Sequence, residues 1–305
     1  MRLLLVASVL AAQQLPVREG FIDVPGGKVW YRVTGSGPAT PLLLLHGGPG
    51  GRSCSFSVLR ELAKDRPLIV YDQLGSGRSE RPTDASLWRV ERFVEELDVV
   101  RKALGLRRVH ILGHSWGGTL ATEYLLTKTQ DVVASVILAS QLISTPRWVA
   151  DARALRASLP AAVAEQLVKC EAVETADDPK CKAATRIFDE RFVVGAKSRP
   201  KIPDCEGTSP NSEIYRAMWG AAEFTSTGLL RDYDRSSRLQ ELRLPVLFLA
   251  GRNDEARPET LAEYQKLVPG SKLVVLEKSA HVGFVTETKR YVKEVRDFLR
   301  AIDRH

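Results

Sequence analysis

The sequence predicts an α/β fold in which a mostly parallel central sheet is flanked by helices and interrupted by an inserted helical lid. Three observations predict it. Short apolar runs alternate with segments of helical periodicity, the pattern of successive βαβ units. The runs are apolar throughout, as strands covered on both faces must be. Between residues 141 and 224 no strand pattern is found, and strands resume after it.

In chain order, Met1 and Arg2 precede an apolar or small-residue stretch from Leu3 to Ala12. A short charged region and an apolar segment too short to span a bilayer predict a signal peptide over residues 1–12, with cleavage after Ala11 or Ala12 and export of the mature chain. Residues 28–34 alternate and read as an early antiparallel strand. Leu42 to Leu45 and Leu68 to Tyr71 are buried-strand runs, the first leading into His46 and glycines, the second into Asp72. Leu87 to Leu104 reads as a helix, with Phe93, Leu97, Val100 and Leu104 on one face and Gly105 as its stop. Val109 to Leu112 is a strand, residues 119–128 the helix after it, and Val133 to Ala139 another strand.

The lid stretch is helical and polar, is broken at Pro179, Pro200, Pro203 and Pro210, and holds three of the four cysteines. Strands return at Val246 to Leu249 and Leu273 to Leu276, and an amphipathic helix follows Thr286. The expected organisation is therefore a core over residues 13–140, a lid over 141–224 and the rest of the core over 225–305.

The formal net charge of +7 is spread along the chain among acidic residues, with no basic run, so nucleic-acid binding is not expected. After the N-terminal stretch no segment is long and apolar enough for a membrane span. Cys54, Cys170, Cys181 and Cys205 allow three pairings in an oxidising compartment. Cys170 and Cys181 are close in sequence, and pairing them leaves Cys54 with Cys205, the preferred arrangement. None has a His or second Cys at metal-ligand spacing, so no metal is expected.

Gly113-His114-Ser115-Trp116-Gly117 fits G-x-S-x-G, after a strand and before a helix, the context of the nucleophile in an α/β-hydrolase. The tight turn needs small residues two before and two after the serine. A serine hydroxyl needs a base, and the base an orienting carboxylate, in the chain order acid then histidine. Of five histidines, His281 follows the last strand in a loop that can reach Ser115, and it is the expected general base. Asp254, after Val246 to Leu249, is the expected orienting acid, with Glu255 beside it as the second choice. The backbone N–H of Trp116 and that of Gly48, in the loop His46-Gly47-Gly48-Pro49-Gly50, are the expected oxyanion donors.

With those residues in view the chain resembles the proline iminopeptidase family of α/β-hydrolases, including the related tricorn-interacting aminopeptidases. The matching stretches are HGGPG at 46–50, DQLGSGRS at 72–79, GHSWGG at 113–118, GRNDE at 251–255 and the loop around His281. The resemblance implies a serine aminopeptidase that works without cofactor or metal on a peptide or small aminoacyl substrate, with proline as the candidate N-terminal residue. It also implies that Glu223, in the stretch 218–234, and Glu255 grip the substrate's α-ammonium. The chain departs from the family in its lid, which matches weakly outside 218–234 and carries cysteines. An esterase, amidase or lactonase would share the catalytic residues without the amine requirement, and a non-enzymatic receptor would use the pocket alone.

Overall fold

The computed structural model describes residues 15–171, 178–195 and 202–304. The expected signal peptide and Pro200 lie outside them. Eight strands form one sheet in the order β1-β2-β4-β3-β5-β6-β7-β8. They are β1 (Val17–Val24), β2 (Gly27–Thr34), β3 (Leu42–Leu45), β4 (Leu68–Tyr71), β5 (Val109–His114), β6 (Val133–Ala139), β7 (Val246–Gly251) and β8 (Lys272–Leu276). The β1–β2 and β2–β4 pairs are antiparallel and every other pair is parallel. The expected mostly parallel sheet is thus present.

Every residue of β3, β5, β6 and β7 is buried. Successive side chains of a strand point to opposite faces, and the two faces have separate cores. Leu43, Leu45, Ile111, Val136 and Leu138 pack with Phe93, Leu97 and Val100 of helix α1 (Val90–Ala103) and with Leu120 and Tyr124 of helix α2 (Trp116–Thr127). Leu42, Leu44, Leu112, Ile137 and Leu249 pack on the other face against Phe56 and Leu59 of the 3-10 segment Ser53–Lys64. The C-terminal helix joins that second face with Tyr291, Val295 and Leu299.

Local boundaries differ from expectation in three places. Strand β1 extends the sheet beyond the expected first strand; it is an edge strand whose Ile22 and Val24 are buried while Val17 and Phe21 face solvent. The helix expected from Leu87 begins at Val90, because Asp84 accepts from the Ser86 amide and closes a separate 3-10 turn, Ala85–Leu87. Helix α2 begins at Trp116 and not at residue 119, directly behind Ser115.

Between β6 and β7 lie α3 (Thr145–Ala157), α4 (Ala161–Lys169), α5 (Pro179–Phe188), a π-helical turn (Asp189–Val193), a 3-10 turn (Pro203–Cys205) and α6 (Ser212–Met218). Pro179 starts α5 and Pro203 starts the 3-10 turn, the helix positions proline tolerates. The insert buries its own small core of Leu167, Phe188, Phe192 and Phe224, together with Cys170 and Cys181. The disulfides are Cys170–Cys181, inside the insert, and Cys54–Cys205, which ties the insert to the core. This is the preferred pairing. Asp204, next to Cys205, adds ion pairs to Arg32 at 2.8 Å and Arg60 at 2.5 Å. The remaining helices, α7 (Pro258–Lys266), α8 (Gly283–Thr286) and α9 (Thr288–Asp303), follow β7 and β8.

Candidate active site

The turn from β5 to α2 shows why its sequence is Gly-x-Ser-x-Gly. Ser115 sits at φ 56°, ψ −125°, a conformation costly for a residue with a side chain. Its amide donates to the Ala139 carbonyl at 2.9 Å, which fixes the turn against β6. A Cβ on Gly117 would overlap the Leu45 carbonyl, and one on Gly113 would overlap the Gly117 carbonyl. Only glycine fits either place, so the strained serine is held out into the space above the sheet.

That space is a cavity of about 700 Å³, lined by Ser115, His281, Gly47, Gly48, Tyr215 and Glu223 among others. His281 and Asp254 meet behind it, with Nδ1 of His281 2.8 Å from Oδ1 of Asp254. Both are buried. Asp254 is itself held by four donors. Oδ1 accepts from His281 and from the Ala256 amide at 2.9 Å. Oδ2 accepts from Ser140 Oγ at 2.6 Å and from the Gly251 amide at 3.2 Å. These donors fix the carboxylate so that it points one oxygen at the imidazole N–H. Glu255 lies beside them, its Oε1 3.7 Å from the same Nδ1. The shorter, hydrogen-bonded distance makes Asp254 the partner of His281.

Two more groups hold the base. Ser140, which also has a positive φ of 51°, bonds the His281 carbonyl at 3.2 Å. Nε2 of His114 is 3.0 Å from that carbonyl. Because the carbonyl only accepts, Nε2 carries the hydrogen. Burial, then the adjacent His281 ring, pushes the His114 pKa down to about 3. The folded value is below the unfolded one, so unfolding takes up a proton between roughly pH 6.5 and 3 and stability falls as the pH drops through that range. His114→Gln, which keeps a donor and removes the titration, is expected to flatten the acid limb of a plot of melting temperature against pH. An unchanged limb would show that other groups, such as buried His46, set it.

Of the other matching stretches, HGGPG lines the cavity with Gly47 and Gly48, and buried residues of DQLGSGRS support it. Gln73 donates from its backbone amide to His46 Nε2 (3.0 Å) and from its side chain to the His46 carbonyl (3.1 Å), and its side-chain oxygen accepts from the Trp116 indole at 2.8 Å. Asp72 accepts from the Ser53 amide at 2.7 Å and from the Arg78 amide at 2.8 Å. HGGPG is thereby tied to DQLGSGRS and to the residue after Ser115. Gly48 stands at φ 122° beside the cavity, and its amide donates to no described residue. As the first residue of α2, Trp116 has an N–H with no intrahelical acceptor. Both expected oxyanion donors are thus unspent, Trp116 next to Ser115 in the chain and Gly48 on the same cavity as Ser115.

Glu223 lines the cavity, and Glu255 is buried at its back with Oε2 lacking a hydrogen bond to any described residue. Burial first, then the charges of Glu223, Asp254 and Asp189, raises Glu255 well above the usual carboxylate range. Burial, then Glu223, likewise raises the Tyr215 phenol. Glu223, Glu255, Asp189 and Tyr215 therefore share one acidic recess beside Ser115 and His281. The insert reaches into it: the Phe192 carbonyl accepts from the Glu255 and His281 amides, each at 3.2 Å.

The structure brings Gly48, Ser115, Glu223 and His281 around one cavity, with Asp254 bonded to His281 behind it, Glu255 3.7 Å from the same ring and Trp116 next to Ser115 in the chain. Ser140, Gln73, Tyr215 and Phe192 are the supporting residues that sequence reading did not assign. Ser140 had one available signal: it ends the strand between those carrying Ser115 and Asp254, at the carboxyl edge where open α/β sheets place their ligands. Among the described residues no His, Cys, Asp and Glu group has the arrangement of a metal site.

Residues 40–288 match the family model described as alpha/beta hydrolase fold. The chain is 46% identical over 286 residues to the proline iminopeptidase of Heyndrickxia coagulans, covering 93% of this chain and 99% of that one. It is 32% identical to the proline iminopeptidase of Clostridium botulinum, over 95% of this chain and all (100%) of that one. The crystal structure of the Mycobacterium smegmatis proline iminopeptidase superposes with a TM-score of 0.83 at 30% identity, over 94% of this chain and 99% of that one. Fold, site geometry and these similarities agree, and the chain belongs to the proline iminopeptidase family of α/β-hydrolases.

Proposed function

We propose that the chain is an exported serine aminopeptidase that releases an N-terminal residue, preferentially proline, from peptides through an acyl-enzyme. The observation that carries the reading is the acidic recess, where Glu223 lines the cavity of Ser115 and buried Glu255, 3.7 Å from His281, has an Oε2 with no hydrogen bond to any described residue. A peptide's α-ammonium is the cation that two carboxylates at this place would hold by charge-assisted hydrogen bonds. An ester or lactone without an amine would make no such bonds, which favours the peptidase over the esterase, amidase or lactonase alternative. The relatives named proline iminopeptidase support proline as the released residue.

In this reading Ser115 Oγ attacks the first peptide carbonyl while His281 Nε2 takes its proton. Asp254 holds the ring through Nδ1–H and stabilises the imidazolium. The Gly48 and Trp116 amides receive the developing oxyanion. His281 gives the proton to the leaving amine, the C–N bond breaks and the acyl-enzyme remains. Water, deprotonated by His281, then releases the free residue and restores Ser115. The distance between the carboxylates and Ser115 limits the cut to one residue.

The test is a panel of aminoacyl arylamides, in which the prolyl compound is expected to show the highest kcat/KM. A higher value for another residue would replace proline, and no turnover of any would overturn the reading. Export is supported by the N-terminal sequence and by two disulfides, which suit an oxidising compartment. A secreted product whose first residue follows Ala11 or Ala12 is expected on mass measurement; an intact Met1 would contradict it.

A further inference from the structure

The cavity has a second charged feature besides the acids. Arg52 lines it, and it is the one Lys or Arg among the described lining residues. It follows the HGGPG loop and precedes the segment that carries Cys54. Its Nη1 is held by the insert, donating to the Thr208 carbonyl, to Thr208 Oγ1 at 3.2 Å and to the Cys205 carbonyl at 3.3 Å. The Cys54–Cys205 disulfide clamps the same two segments together. The guanidinium is therefore immobilised through one nitrogen. Its Nε and Nη2 form no hydrogen bond, and the group forms no ion pair, with any described residue.

A half-buried, oriented guanidinium with donors to spare is suited to a carboxylate, which it can take with two parallel N–H bonds. Ser55 lines the cavity on the same segment and offers a hydroxyl; Glu206, exposed on the opposing rim, is a nearby negative charge that an anionic group would have to avoid. The cavity wall thus carries the nucleophile, the base, the Glu223 carboxylate and one cation, Arg52. The molecule with matching charges is a short peptide in zwitterionic form.

We propose that Arg52 binds the C-terminal carboxylate of the leaving segment, so that the substrates favoured are short peptides with a free C-terminus. This rests on the aminopeptidase reading. Its consequence is a preference for carboxylate over amide that is set by the leaving side and is separate from the choice of N-terminal residue.

The experiment compares prolyl dipeptides and tripeptides with their C-terminal amides, using wild type and Arg52→Gln. In the wild type the carboxylate form is expected to have a kcat/KM about five-fold higher at one of the two lengths, the size of a partly exposed ion pair. In Arg52→Gln the ratio is expected to fall to about one. A wild-type ratio of one or less at both lengths, or a ratio kept in Arg52→Gln, would overturn the assignment. If Arg52→Gln does not fold, the wild-type ratio at rising salt decides: decline supports the ion pair and constancy overturns it. Prolyl arylamide, which has no carboxylate, separates the two readings. No turnover of it sinks the aminopeptidase, whereas turnover with a flat carboxylate-to-amide ratio sinks Arg52 alone.

Discussion

Ser115→Ala is expected to lower turnover of an aminoacyl arylamide by about 10⁶, with little change in the far-UV spectrum or the melting temperature. The size follows from how the parts are linked. His281 and Asp254 are already paired at 2.8 Å, and the oxyanion amides belong to the backbone, so none of them is lost. What disappears is the oxygen that forms the acyl-enzyme, and without it the base has nothing to deprotonate but water. The fold should tolerate the change, because the turn is fixed by the Ser115 amide on Ala139 and by Gly113 and Gly117, none of which the substitution touches. Alanine must still adopt φ 56°, as serine does. Labelling by a fluorophosphonate probe should be lost as well. Activity within tenfold of wild type in a folded Ser115→Ala protein would remove Ser115 from the mechanism.

Glu223→Gln and Glu255→Gln should each raise KM for a free-amine substrate more than they lower kcat, and the pair of substitutions should cost about 10² in kcat/KM. The estimate takes one charge-assisted hydrogen bond lost per site, at about 1.5–3 kcal/mol each. The two should not be additive, since they hold one ammonium. Burial and Glu223 raise the Glu255 pKa, so the free enzyme keeps a proton on Glu255 at a pH where an exposed glutamate is ionised. The ammonium binds the ionised form, so affinity should rise with pH as that proton leaves. Glu255→Gln should lack this contribution to the pH profile of kcat/KM. The same profile in wild type and variant would show that Glu255 plays no part in the grip.

Much of the core was legible because fully buried strands read as uninterrupted apolar runs. Leu42–Leu45, Leu68–Tyr71 and Val133–Ala139 stand where their sequences place them. Strand β1 was not, since an edge strand buries only alternate residues and Phe21 and Val17 interrupt its pattern with exposed apolar side chains. Asp84 and Trp88 hid the true start of α1, because a side-chain cap can divide one helical pattern into two turns. At the site, Ser115, Asp254 and His281 could be read from a local motif and a fixed chain order. Ser140 could not be assigned from its neighbours. Its partner Asp254 is 114 residues away, and only the adjacency of β6 and β7 brings them together. Phe192 contributes a carbonyl, which any residue could supply, so its identity carries no trace of the task. The motif residues Asp72 and Gln73 were visible as a resemblance, and the structure supplies their physical duty, which is to hold HGGPG against Trp116.

The central claim is that a free α-ammonium must occupy the recess of Glu223 and Glu255 for Ser115 to cut. It is tested most directly by the wild-type rates on prolyl arylamide and on N-acetylprolyl arylamide, which share the scissile bond and differ in the cation. The free amine is expected to be hydrolysed with a kcat/KM at least about 10² above the acetylated form, the worth of the charge-assisted hydrogen bonds that the ammonium alone can make. Equal rates on the two would contradict it.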